Sequence, residues 1–213
     1  MKVDKASMCL YAVTDRAWLK EGQTLPWAVE EALKGGATFI QLREKDTPYN
    51  EFKELALEIK EICRKYKVPF VINDNVELAK EINADGVHVG QSDMEVQKAR
   101  ELLGNDKIIG VSAATLESAL SAESCGADYI GVGAVFHTDT KTDATAVGRE
   151  EINRITGSVT IPVVAIGGIN ITNISELKGL GLNGAAVVSA IFAKEDIYSA
   201  SKELRAICNE VFN

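Results

Sequence analysis

Two cations and an amide leave one hydrophobic strand on the same side. In Gln41-Leu42-Arg43-Glu44-Lys45, which follows the apolar Thr38-Phe39-Ile40, strand alternation puts Phe39, Gln41, Arg43 and Lys45 on one face. Ile40, Leu42 and Glu44 take the other. A face carrying Gln41, Arg43 and Lys45 is suited to holding an anion. Polar clusters close other apolar runs in the same way: Asn73-Asp74-Asn75, Gln91-Ser92-Asp93, Ser112, Thr138-Asp139-Thr140-Lys141, Gly167-Gly168 and Val188-Ser189.

Asp74 and Asp93 are the acidic members of this set. Two carboxylates with open positions suit a hard cation such as Mg²⁺, which takes one or two protein carboxylates and completes its shell with water and substrate phosphate oxygens. Each also has a structural role open to it. Asp74 is placed to cap a helix beginning near Val76, and Ser92-Asp93-Met94-Glu95 has the form of a capping box. Together, beside Arg43 and Lys45, they point to a metal-diphosphate site. Gly167-Gly168 and the Val188-Ser189 turn let backbone N–H groups approach a phosphate, while a tight turn would equally demand the glycines. Segment 137–147, rich in Thr and with Lys141 as its cation, reads as a lid or as a solvated loop.

The chain has two histidines. His88 shares a strand face with Gly86 and Gly90 and sits mid-strand, which suits a hydrogen-bonded interior residue rather than a catalytic one. No Ser-His-Asp or Cys-His arrangement can be assembled from His88 and His137, which argues against acyl transfer.

The elements that must position these residues alternate regularly. Apolar runs at 10–14, 38–44, 69–73, 86–90, 108–112, 129–136, 162–166 and 185–188 read as strands. Helical patterns follow at 27–33, 49–66, 76–82, 94–103, 116–124, 150–155, 173–180 and 197–212. Near-continuous Val, Ile and Ala runs suit a parallel sheet covered on both faces, and eight strand-helix pairs fit a single-domain (β/α)8 TIM barrel spanning residues 1–213. A doubly wound open sheet is the competitor. Against it, no G-x-G-x-x-G opens the first helix, and the polar clusters are spread over nearly every strand end. In a barrel, chemistry collects at the carboxyl ends of the strands, where these clusters lie.

A net charge of −8 argues against nucleic acid as the main partner. No signal-peptide pattern and no apolar run of about 20 residues is present, so a cytoplasmic protein without a membrane partner is expected. Cys9, Cys63, Cys125 and Cys208 are far apart and read as reduced, mostly buried thiols. The sequence is compatible with a homo-oligomer and does not specify one.

In order along the chain, Gln41-Leu42-Arg43-Glu44-Lys45, Ile72-Asn73-Asp74, His88-Val89-Gly90-Gln91-Ser92-Asp93, Val111-Ser112, Val135-Phe136 with Thr138-Asp139-Thr140-Lys141, Ala165-Ile166-Gly167-Gly168-Ile169 and Val188-Ser189-Ala190-Ile191 resemble the thiamine-phosphate synthase family. The resemblance implies a (β/α)8 transferase acting in thiamine biosynthesis. It would join hydroxymethylpyrimidine diphosphate to a thiazole phosphate, with Mg²⁺, and release pyrophosphate. Carried over by position, Gln41, Leu42, Arg43, Glu44, Lys45 and Asn73 would hold the pyrimidine diphosphate, with Arg43 and Lys45 on its diphosphate. Asp74 and Asp93 would bind Mg²⁺, and Ser112 would contact the pyrimidine side. Thr138, Asp139, Thr140, Gly168, Val188 and Ser189 would bind the thiazole phosphate, and Lys141 would reach the diphosphate. Arg43, Lys45, Lys141 and Ser112 would carry the chemistry. The family is thought to ionise the pyrimidine carbon–oxygen bond before the thiazole nitrogen captures the cation. One departure is His137, where the family usually has Pro. A related thiazole tautomerase uses a histidine where this chain has Ala134, with His137 nearby, and is the alternative enzyme. A non-catalytic phosphate-ligand sensor is the alternative from another class.

Overall fold

The computed structural model describes residues 3–90, 95–137 and 146–212. Eight parallel strands close into a barrel in sequence order: β1 (Leu10–Val13), β2 (Phe39–Leu42), β3 (Phe70–Asn73), β4 (Gly86–Val89), β5 (Ile108–Ala113), β6 (Tyr129–Val132), β7 (Val163–Ile166) and β8 (Gly184–Val187). Closure comes from β8 pairing with β1, where Leu10, Tyr11 and Ala12 register with Ala185, Ala186 and Val187. The predicted barrel is therefore the observed fold.

Both faces of every strand are buried, and alternation sorts them. Tyr11, Val13, Phe39, Val71, Ile108, Tyr129, Val164 and Ala186 fill the lumen. Leu10, Ala12, Ile40, Leu42, Ile72, Val87 and Val89 belong to the larger core between strands and helices. This double burial is why the strands read as unbroken apolar runs. Three aromatic rings dominate the lumen, with Tyr11 and Phe39 centroids 4.5 Å apart and Tyr129 at 5.9 and 5.7 Å from them.

The outer layer comprises α1 (Leu25–Lys34), α2 (Tyr49–Tyr66), α3 (Val76–Glu81), α4 (Val96–Leu103), α5 (Leu116–Ser124), α6 (Arg149–Ser158), α7 (Ser189–Phe192) and α8 (Ile197–Phe212). Thr24 caps α1 by accepting from the Trp27 N–H, with Pro26 in the first turn, where its missing N–H costs nothing.

Helix α7 was not expected from the sequence, and two expected elements differ from their reading. In place of a helix over 173–180 there is a single 3₁₀ turn, Ile174–Leu177. Gly179 and Gly181 adopt φ of +81° and +70°, a left-handed conformation that no helix can pass through. Strand β6 ends at Val132 rather than 136. Beyond it the chain leaves the ladder, and the Val135 and Phe136 N–H groups donate to Ile166 and Gly167 carbonyls at the β7 end.

All four cysteines are free thiols; Cys9, Cys63 and Cys208 are buried and Cys125 is half-buried. Among the described residues, no helix is long and apolar enough to cross a membrane.

Candidate active site

The carboxyl ends of the strands surround a cavity of about 550 Å³. Of the positions singled out in the sequence, Gln41, Arg43, Lys45, Asn73, Asp74, Ser112, Gly168, Val188 and Ser189 line it. Asp93, Thr138, Asp139, Thr140 and Lys141 lie outside the described residues.

Strand parity explains the first group. Gln41 points into the lumen, 3% exposed, and donates from Nε2 to the Tyr11 hydroxyl oxygen at 2.5 Å. Arg43, one residue beyond β2, keeps the inward phase and is held from both ends. Its N–H donates to Thr14 Oγ1 at 2.9 Å, and its guanidinium lies 3.7 Å from Asp15 on the preceding loop. Leu42 and Glu44 have the opposite phase, and the structure does not bring them to the cavity. Leu42 packs in the helix-facing core. The Glu44 side chain is 1% exposed, bonded to Arg16 Nε at 2.7 Å and to Thr47 Oγ1 at 2.5 Å, so it ties the loops after β1 and β2 together from behind.

Asn73 and Asp74 end β3. The Asp74 N–H donates to the His88 carbonyl at 2.8 Å, and Oδ2 accepts from Asn73 Nδ2 at 2.5 Å. Asp74 sits at φ +63°, a left-handed conformation that Asp tolerates better than most residues. The cap of α3 is Asn75, whose Oδ1 accepts from the Leu78 N–H at 2.8 Å. Helix capping therefore does not account for the Asp74 carboxylate. A capping box would place Glu95 in the third helical position of α4, but Glu95 stands at its N-cap without a side-chain capping hydrogen bond.

Gly168 has φ +66°, and a Cβ there would come within 2.3 Å of the His137 carbonyl oxygen. Close approach of the β6 and β7 loops is thus sufficient to require glycine at 168, and the same residue lines the cavity. Ala134 also lines it, whereas His137 is exposed and does not.

The interior, hydrogen-bonded role expected of His88 is observed, while its partners in the cavity floor were not anticipated. His88 is buried and bonded on both ring nitrogens, Nδ1 at 2.9 Å from the Tyr129 hydroxyl and Nε2 at 3.0 Å from Ser112 Oγ. The Tyr129 and Tyr11 hydroxyl oxygens are 2.7 Å apart. Burial pushes both phenols well above their ordinary pKa, so both stay protonated. Inward parity of Tyr11 and Tyr129 was the available signal; their meeting required the closed barrel.

Among the described residues, the site combines Arg43 and Lys45 with the Asp74 carboxylate and hydrogen-bonding groups at Gln41, Asn73, His88 and Ser112. Such a set favours charge stabilisation of an anionic leaving group over base catalysis.

A family described as thiamine monophosphate synthase matches residues 10–191. The thiamine-phosphate synthase of Ruminiclostridium cellulolyticum is 50% identical over 203 residues, covering 95% of this chain and 96% of that one. That of Clostridium acetobutylicum is 54% identical over 188 residues, covering 88% and 89%. The solved thiamine phosphate pyrophosphorylase from Pyrococcus furiosus superimposes with a TM-score of 0.90 at 42% identity, covering 98% of this chain and 99% of that one.

Proposed function

The chain belongs to the thiamine monophosphate synthase family, and from that premise we propose that it joins hydroxymethylpyrimidine diphosphate to a thiazole phosphate, forming thiamine phosphate and releasing pyrophosphate. It is a thiamine-phosphate synthase, a transferase. The observation that carries the assignment of the reaction to this cavity is convergence. Gln41, Arg43, Lys45, Asn73, Asp74, Ser112, Gly168, Val188 and Ser189 come from five strand ends and line one space.

The pyrimidine diphosphate lies against β2 and β3. Gln41, Asn73 and Ser112 orient its ring, while Arg43 and Lys45, joined by Lys141, take its diphosphate. The pyrimidine carbon–oxygen bond breaks heterolytically and its electron pair leaves with pyrophosphate. The lone pair of the thiazole nitrogen then forms the new carbon–nitrogen bond. Gly168, Val188 and Ser189, with Thr138, Asp139 and Thr140, hold the thiazole phosphate so that the nitrogen faces the cation. No proton is removed in either step, so the reaction asks for no general base.

Mg²⁺ fits this donor set, because the Asp74 carboxylate lines the cavity and is not the cap of α3, and a bound diphosphate would offset the charges of Arg43 and Lys45 and add its own oxygens. Asp74 and Asp93 would hold it. The ion would supply electrophilic stabilisation of the charge on the departing pyrophosphate.

Pyrophosphate release by the purified protein tests the reading. It is expected only with Mg²⁺ and both substrates together. No release under those conditions, or equal release from the pyrimidine diphosphate alone, would overturn it.

A further inference from the structure

We infer that Tyr11, Tyr129 and His88 are positioning residues, a directional hydrogen-bond chain beneath the cavity that sets which way the Gln41 amide and the Ser112 hydroxyl face the substrate. The inference rests on the function proposed above.

The chain runs without a gap from Gln41 Nε2 to Tyr11 at 2.5 Å, Tyr11 to Tyr129 at 2.7 Å, Tyr129 to His88 Nδ1 at 2.9 Å, and His88 Nε2 to Ser112 at 3.0 Å. It crosses the barrel from β2 through β1, β6 and β4 to β5. Its direction follows from what each group can give. An amide nitrogen only donates, so the Tyr11 oxygen accepts from Gln41 and the Tyr11 proton passes to the Tyr129 oxygen. Tyr129 then donates to His88 Nδ1, which must carry no proton. The neutral ring therefore bears its proton on Nε2 and donates to Ser112 Oγ. Ser112 has its own proton left over, and it is presented to the cavity that Ser112 lines.

Reversing any link reverses all of them. If Gln41 turned its oxygen to Tyr11, both phenols and the imidazole tautomer would invert, and the Ser112 proton would be spent on His88. The two walls of the cavity thus change together. With the Gln41 amide nitrogen on Tyr11, the pocket pairs a hydroxyl donor at Ser112 with the amide oxygen of Gln41 as acceptor. That pattern selects a ring offering both a lone pair and an N–H. Both phenols stay protonated because burial opposes their ionisation, so the direction is not lost by titration.

Nitrogen-15 NMR of the ligand-free protein, with His137→Gln to assign the second histidine, reads the tautomer directly. At neutral pH, His88 is expected as the Nε2–H tautomer. Tyr129→Phe keeps the ring and removes the links to Tyr11 and to His88. That tautomer preference should then be lost, and the KM for the pyrimidine diphosphate should rise about tenfold while that for the thiazole phosphate changes less than about twofold. An Nδ1–H tautomer or an imidazolium in the wild type overturns the inference. So does Tyr129→Phe with the tautomer, or both KM values, unchanged. If Tyr129→Phe does not fold, Tyr11→Phe cuts the chain at the adjacent link and is held to the same outcomes. Failure of the two-substrate assay would instead count against the proposed reaction, since the tautomer is measured without substrate.

Discussion

The backbone of Gly110 passes so close to Tyr129 that a Cβ at position 110 would stand 2.0 Å from the ring carbon Cζ. No side chain can share that space unless Tyr129 moves, and Tyr129 is fully buried against Tyr11 and Phe39. Gly110→Ala is therefore expected to destabilise the barrel by about 3 kcal/mol, lowering Tm by roughly 10 °C. Thermal melts followed by circular dichroism check this. An unchanged Tm would mean that the ring is not packed against β5.

Arg43 has two anchors, Thr14 on its backbone N–H and Asp15 beside its guanidinium, that place the side chain at the cavity. Arg43→Ala should lower kcat/KM by about a hundredfold or more, the scale for removing a charge that stabilises a transition state. Arg43→Lys should restore only part of it, because a lysine lacks the planar fork. Cys63→Ala, buried in α2 away from the cavity, is expected to change kcat/KM by less than about threefold. Equal losses in the two alanine variants would remove Arg43 from the chemistry.

Asp74→Asn separates charge from backbone conformation. Asparagine accepts the φ of +63° found at this position, so Tm should shift by no more than about 2 °C. Turnover should fall at least about a hundredfold, and the Mg²⁺ concentration needed for half-maximal rate should rise. A Mg²⁺ titration of both proteins decides it, and an unaltered titration would assign Asp74 a structural role.

Glu123 should contribute an acid-sensitive part of the stability. Burial works against its charged form. That penalty is outweighed by the Thr160 hydroxyl and the N–H groups of Thr160 and Ile161, which donate to its carboxylate at 2.6, 2.8 and 3.2 Å. The net effect holds its carboxyl below the ordinary value. A lowered folded-state pKa stabilises the fold above the unfolded value, near ~4.3, and that stabilisation is lost as pH falls through the folded-state pKa. Tm measured from pH 7 to 3 should show wild type above Glu123→Gln at neutral pH and the two converging below pH ~4. A constant gap between the curves would refute the assignment.

The barrel was legible because double burial leaves strands as Val, Ile and Ala runs, and because helices such as Tyr49–Tyr66 carry their apolar residues at helical spacing. The helix expected over 173–180 failed because apolar spacing does not show the left-handed turns that Gly179 and Gly181 hold at its end. At the site, parity alone separated Gln41, Arg43 and Lys45 from Leu42 and Glu44. For Asp74 the sequence left a helix cap and a ligand both open; the structure gives the cap of α3 to Asn75, with Asp74 one residue earlier in a left-handed turn.

What the sequence determined by itself is the phase of each strand, since alternation is a property of the local backbone and needs no knowledge of distant residues. What the tertiary structure decided is who meets whom inside. Tyr11 and Tyr129 are 118 residues apart, and their hydroxyls meet only because β8 closes on β1 in one register and Gly110 leaves room for a ring. Barrel closure is a collective property of eight strands, so the chain of hydrogen bonds beneath Gln41 and Ser112 could not be read from either residue's neighbours.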